Sequence, residues 1–110
     1  MTITNKNIVP AKYVEATQQT QYTATNCKFK IDKFTLTNNT VANVTFACNL
    51  VPAAGVVDGS NLVLNRTIAP NEVYTCPELI NQSLENGGSI STIAGTASAL
   101  VMVISGREIT

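Results

Sequence analysis

The feature that most limits the fold of this chain is an alternation of apolar and polar side chains at residues 44–50. The apolar positions are Val44, Phe46, Cys48 and Leu50, and the residues between them are Thr45, Ala47 and Asn49. Successive side chains of an extended strand point to opposite faces, so a period of two indicates a strand with one buried face. The sequence therefore predicts a β-strand here, with Phe46 facing the core.

The preceding segment, residues 28–37, alternates in the same way but changes phase in its middle. Its apolar residues form two pairs of opposite parity, Phe29 with Ile31 and Phe34 with Leu36. One extra residue near Asp32 and Lys33, a β-bulge, would turn both pairs toward the same core. The link TNNTVAN follows, and asparagine tolerates the left-handed conformation of tight turns. We therefore predict an antiparallel hairpin over residues 28–50.

Further strands are predicted where apolar or alternating runs lie between turn residues. They cover residues 61–68, with Leu62 and Leu64 facing inward, and residues 72–76, 89–93 and 97–106. The last of these contains an unbroken apolar run, which indicates a central strand covered on both faces. The segment after Pro77 ends at two glycines, Gly87 and Gly88, and its apolar residues are spaced for one or two helical turns.

Together these segments predict an all-β fold. We expect an antiparallel β-sandwich of about eight strands, of the jelly-roll type, with one short helical turn. Residues 21–110 are assigned to the sandwich domain, and residues 1–20 to an N-terminal arm or edge strand, where Pro10 is tolerated. Because residues 1–20 are polar and weakly patterned, we expect that a neighbouring subunit is what orders them if they are ordered at all. On this hypothesis, a chain without residues 2–12 still folds.

Charged side chains are scarce, at 13% of the chain against about 25% in an average soluble domain. Residues 34–57 contain none, and 15 Thr and 12 Asn supply much of the polarity of the chain. The formal net charge is zero, which argues against nucleic acid as a partner. No apolar run approaches the roughly 20 residues of a membrane span, so no membrane partner is expected either. An uncharged surface loses little hydration energy on burial, which favours contact with other protein.

The residue types needed for catalysis are absent or scattered. There is no His, which removes the commonest general base and a common metal ligand. The seven carboxylates form no recognisable motif, and the three cysteines, Cys27, Cys48 and Cys76, have no CxxC spacing. We expect no enzyme activity, no cofactor and no metal site, and we expect the cysteines to be buried free thiols.

The order of the segments carries a resemblance to a protein family. A tyrosine-bearing strand, QYTAT, precedes FKIDKFTLTNNT, the alternating NVTFACNLVPAAG, then NRTIAPNEVYTCPEL and finally LENGGSISTIAGTASALVMVISGREI. Over residues 20–109 this layout resembles small β-sandwich proteins of tailed-bacteriophage virions, most of all the head decoration, or cement, proteins. The resemblance implies a jelly roll on the capsid exterior that clamps neighbouring major capsid subunits and has no catalytic residues.

The resemblance also implies partners and a location. The partner would be the major capsid protein, and the chain would form a homo-oligomer, a dimer or trimer, on the capsid surface after synthesis in the host bacterial cytoplasm. A neck, tail or fibre-associated phage structural protein is the alternative, and a carbohydrate- or receptor-binding module is a third. The apolar loop VPAAGVV and the basic N-terminal segment are predicted to touch the capsid. The predicted contact residues are Lys6, Ile8, Lys12, Tyr13, Val51, Pro52, Val56 and Val57.

Overall fold

The computed structural model describes residues 1–110 and contains nine β-strands and one short 3₁₀ turn. The strands in chain order are β1 (Ile3–Tyr13), β2 (Gln19–Thr23), β3 (Lys28–Asn38), β4 (Val44–Val51), β5 (Leu62–Ile68), β6 (Val73–Tyr74), β7 (Ser83–Leu84), β8 (Ser89–Ala94) and β9 (Leu100–Ile109). The 3₁₀ turn spans Gly59–Asn61 and lies between β4 and β5. No helix is long and apolar enough to cross a membrane.

The strands form two antiparallel sheets that enclose one core. Sheet I has the order β1-β9-β3-β6, with β7 pairing with the other end of β3, and sheet II has the order β2-β8-β4-β5. A single cluster of 22 buried residues fills the space between them. This strand order, with β6 and β7 sharing one edge position, is that of an eight-stranded jelly roll. The predicted all-β jelly-roll sandwich is therefore confirmed.

The predicted hairpin over residues 28–50 is wrong, although both of its strands exist. β3 pairs with β6, β7 and β9 in sheet I, whereas β4 pairs with β5 and β8 in sheet II. Residues 39–43 thus cross from one sheet to the other. The buried Asn38 side chain holds this crossing, because its Nδ2 donates to the carbonyls of Ala42 (2.8 Å) and Ile68 (3.0 Å).

The predicted β-bulge in β3 is confirmed. Ile31 pairs with Gly106 and Lys33 pairs with Ser105, so Asp32 is an extra residue opposite the continuous strand β9. The bulge returns the two apolar pairs of opposite parity to one face. Phe29, Ile31, Phe34 and Leu36 are all fully buried.

The predicted inward direction is correct for Leu64 but wrong for Leu62, which is 42% exposed. Cys48 pairs with Leu64 and its neighbour Asn49 pairs with Leu62, so Val63 is an extra residue in β5. This second bulge changes the phase of β5 and turns Leu62 outward. In β4 the side chain of Asn49 is buried, and its Nδ2 donates to the carbonyl of Asp58 (3.0 Å).

Residues 77–88 do not form the predicted helical turn. Two successive turns occupy this segment, with hydrogen bonds from the Leu79 amide to the Cys76 carbonyl (2.9 Å) and from the Gln82 amide to the Leu79 carbonyl (3.2 Å). β7 follows directly. The apolar spacing nevertheless identified buried side chains, since Leu79 and Leu84 lie in the core. The one helical turn of the fold is the 3₁₀ turn, which Asp58 caps.

β9 is central in sheet I, as predicted, but only one of its faces is covered. Leu100, Met102 and Ile104 face the core and are fully buried. Val101 and Val103 point the other way and are half-buried, because no element of the chain packs over the outer face of sheet I.

Residues 1–20 form part of the sandwich. β1 is the edge strand of sheet I and pairs with β9 from Ile3 opposite Ile109 to Tyr13 opposite Val101. Val9 and Val14 contribute to the core. Of the two predictions for this segment, an arm or an edge strand, the edge strand describes the fold. β1 is ordered by its pairing with β9 of the same chain and not by a neighbouring subunit.

Gly106 allows the close approach of β3 and β9, which predicts a specific sensitivity to substitution. A Cβ atom at Gly106 would lie 2.1 Å from the Lys30 carbonyl oxygen and 2.6 Å from Cζ of Phe29. We expect Gly106→Ala to lower the free energy of unfolding by about 1–3 kcal/mol, as overpacking does. Gly59→Ala is the matched control, because a Cβ there meets nothing within 4 Å. Urea denaturation of both variants measures the difference, and equal stabilities would contradict the register of β3 and β9.

Candidate binding surfaces

The predicted contact residues lie in two separate parts of the sandwich. Lys6, Ile8, Lys12 and Tyr13 belong to β1, at one lateral edge of sheet I. Val51, Pro52, Val56 and Val57 lie at the end of β4 and in the loop that leads to β5, the edge strand of sheet II. In the jelly-roll order, β1 and β5 are on opposite lateral sides. The structure does not bring the two groups together.

The charges of the N-terminal group are already paired within the chain. Lys12 Nζ lies 2.9 Å from a Glu15 carboxylate oxygen, and this hydrogen bond lowers the pKa of Glu15. Lys6 Nζ lies 3.4 Å from Glu108. Tyr13 is exposed, and its hydroxyl accepts a hydrogen bond from Asn39 Nδ2 at 3.0 Å. Of this group, Tyr13 therefore offers the largest exposed apolar surface without an ionic partner of its own.

The loop at residues 52–58 presents apolar side chains to solvent, as predicted. Val56 is 71% exposed, and Val57 and Pro52 are also exposed. Val51 differs from the prediction, because its side chain is only 5% exposed and is part of the interior. Asn61 Nδ2 donates to the Val56 carbonyl at 2.8 Å, which links the loop to the 3₁₀ turn.

A groove of about 440 Å³ lies beside this loop. Its two walls are the start of β5 with the 3₁₀ turn and the segment around β7, and its floor includes the end of β4. Its lining residues include Leu50, Pro52, Leu62, Val63, Ser83 and Leu84. The groove was not predicted, because it forms where the edges of the two sheets face each other, and sequence parity does not show which edges meet.

A polar cluster closes the other half of this lateral seam. The guanidinium of Arg66 in β5 lies 4.1 Å from the ring centroid of Tyr74 in β6, and so joins the two sheets. The Tyr74 hydroxyl donates to the Glu78 carboxylate, and partial burial together with this bond raises the pKa of Tyr74 to about 12. Glu72 lies 3.8 Å from Arg66. The groove beside the loop therefore ends at this cluster, and a second depression of about 500 Å³ lies beside β3, lined in part by Lys33 and Ile80.

The outer face of sheet I has two chemically different halves. Near the C-terminal end of β1, one row of outward-facing side chains crosses all four strands of the sheet, and a shorter row lies beside it. The longer row consists of Tyr13, Val101, Thr37 and Val73, and the shorter row consists of Val103 and Thr35. Toward the other end, the same face contains Lys30, Lys33, Asp32 and Arg107. This surface, termed the sheet I face below, was not predicted from the sequence.

The buried thiols predict a clear chemical behaviour. Cys48 and Cys76 are fully buried, and burial raises the pKa of each to about 12 from an ordinary value of 9.0. Near pH 8 this lowers the thiolate fraction by about a thousandfold. We expect iodoacetamide to label both cysteines far more slowly in the folded protein than in urea, as measured by mass spectrometry. Rapid labelling of the native protein, or a disulfide at either position, would contradict this prediction.

No group of three or more His, Cys, Asp or Glu side chains is placed to hold a metal ion. The cysteines are all free. What the fold defines is a jelly-roll β-sandwich whose surface includes an exposed apolar loop, a groove beside that loop and a half-apolar sheet face. No family model, curated protein or solved structure matches the chain.

Proposed function

We propose that this chain is a structural virion protein of a tailed bacteriophage, which decorates the capsid exterior and stabilises it by clamping neighbouring major capsid subunits. The observation that carries the proposal is the exposed apolar surface on a chain with so little charge. Val56, Leu62 and Val73 are all well exposed, and residues 34–57 contain no ionisable Asp, Glu, Lys or Arg side chain. Such a surface favours burial against another protein.

A clamp needs two contact surfaces, because it must touch two subunits. The loop at residues 52–58 with its groove lies on one side of the sandwich, and the sheet I face lies on another. On a symmetric shell, each contact is repeated in every copy. Two modest contacts that act together also bind more tightly than either alone, since the second is intramolecular once the first has formed. Two modest contact surfaces, each with an uncharged apolar part, are thus adequate for stable decoration.

The thiols are consistent with assembly in a reducing compartment. All three cysteines are buried and free, whereas small proteins that assemble in oxidising environments are commonly cross-linked by disulfides. The hydrophobic cluster of 22 residues supplies a core without covalent cross-links. This supports synthesis in the host cytoplasm followed by addition to the capsid.

The experiment that tests this function uses the phage that encodes the chain. Particles from wild-type phage and from a deletion of this gene are purified, analysed by mass spectrometry, and compared for resistance to heat and to a chelator. We expect the chain in wild-type heads and lower head stability in the deletion. Absence of the chain from purified particles would refute the proposal. Immunogold labelling on the tail or neck would support the alternative structural role in its place.

A further inference from the structure

We propose that the sheet I face is a docking surface for an acidic protein surface with an apolar centre. This inference rests on the proposed function, in which that partner is the major capsid subunit. The sheet I face is the outer side of β1, β9, β3 and β6, which no other part of the chain covers. The distribution of charged and apolar side chains on this face indicates the chemistry of the partner that would bind it.

The half of the face near the end of β1 is apolar and uncharged. Tyr13, Val101, Thr37 and Val73 lie side by side on successive strands, because their backbones pair in register. Val73 is 59% exposed. The side chains stand on a regular sheet and present a continuous patch, which suits the apolar centre of a protein interface.

The other half of the face carries unpaired positive charge. Five of the seven Lys and Arg side chains in the protein form ion pairs within the chain, and the two that remain are Lys30 and Lys33. Both belong to β3, on either side of the bulge at Asp32. The Asp32 carboxylate does not neutralise them, because Arg107 donates to both of its oxygens at 3.0 Å.

The charge pattern selects among partners. Two lysines without carboxylate partners complement an acidic surface, and electrostatic complementarity of this kind sets both orientation and association rate. A nucleic acid would require cations along the whole face, yet the half around Val101 has none. The partner that fits both halves is therefore a protein with an apolar patch bordered by Asp or Glu.

The geometry also favours docking on the face over pairing at its β1 edge. β1 contains Pro10, which has no amide hydrogen, and its pairing with β9 is interrupted by two register shifts between Lys6 and Lys12. Proline and bulges are the devices that prevent an edge strand from accepting another strand. A partner therefore packs on the outer face of sheet I and does not add a strand beside β1.

The test measures binding of purified variants to heads from the gene-deletion phage by co-sedimentation. The charge variant combines Lys30→Gln with Lys33→Gln, and the control combines Asn65→Glu with Thr67→Glu on the exposed edge strand β5 of sheet II. Both change the net charge by the same amount. In low salt we expect the charge variant to bind about fivefold more weakly and the control to bind normally. The difference should shrink in about 0.5 M NaCl because of screening.

A second variant examines the apolar half. Val73→Asp replaces an exposed side chain, so the protein stays folded, and we expect binding weaker by about tenfold. Wild-type binding with unchanged affinity in both the charge variant and Val73→Asp would overturn the docking face while leaving the proposed function intact. Failure of the wild-type protein to bind heads would refute the proposed function itself.

Discussion

Replacing Phe46 with alanine should lower the free energy of unfolding by about 3–5 kcal/mol, the usual cost of deleting a buried aromatic ring. The Phe46 side chain is only 1% exposed. Its ring centroid lies 6.1 Å from that of Phe34, in an edge-on arrangement. Since Phe46 belongs to sheet II and Phe34 to sheet I, the substitution removes a contact between the two layers as well as apolar area. Urea denaturation followed by circular dichroism measures the loss.

The matched control is the neighbouring residue on the opposite side of β4. Thr45 is exposed, so Thr45→Ala should change the stability by less than about 0.5 kcal/mol. A loss below about 1 kcal/mol for Phe46→Ala, or equal losses for the two variants, would contradict the described parity of β4.

Side-chain parity predicted the buried apolar residues of β3 and most of those of β4, but it placed the buried Asn49 outward. The bulge at Asp32 could be located because a phase change in an otherwise regular pattern has one simple cause. The bulge at Val63 could not, because β5 is short and the run LVL at its start is apolar at every position. Where apolar residues are consecutive, alternation carries no information about phase.

Strand partners were beyond the reach of the same reasoning. Parity shows that a strand has a buried face but not which strand lies next to it. β3 and β4 are separated by five residues that suit a turn, so a hairpin was the natural prediction. In the fold, β3 instead pairs with β9, whose residues lie about 70 positions away in the sequence. β3 and β4 each have one apolar face, and both faces are buried because the two strands lie in opposite sheets of the sandwich.

Of the candidate binding surfaces, one could be predicted from the sequence and one could not. The exposed loop at residues 52–58 is a local feature, so its sequence predicted it. The sheet I face depends on register between β1, β9, β3 and β6, which come from distant parts of the chain. The available signal was the opposite parity of β3, where Thr35, Thr37, Lys30 and Lys33 alternate with the core residues.

Deleting residues 2–12 should abolish folding, in contrast to the arm hypothesis drawn from the sequence. The deletion removes nearly all of β1, including the buried Val9. β9 would lose one of its two neighbouring strands from Ile109 to Met102, and the core would lose the cover that Val9 provides beside Ile104. The lost ladder of backbone hydrogen bonds, at about 1 kcal/mol each, and the lost apolar burial together approach the whole stability of a domain, about 5–15 kcal/mol.

Circular dichroism and size-exclusion chromatography of the truncated chain measure this outcome. The control is the full-length double variant Lys6→Ala with Lys12→Ala, which removes two exposed ion pairs but keeps the strand and should lose less than about 2 kcal/mol. A truncated chain that unfolds cooperatively near the wild-type midpoint would show that β1 is a dispensable arm. If it is unfolded, loss of head binding by the truncated protein says nothing about contact residues, because every surface is lost with the fold. Capsid contacts must then be assigned with point variants such as Val73→Asp. The Val73 side chain is exposed to solvent, so its replacement leaves the core unchanged.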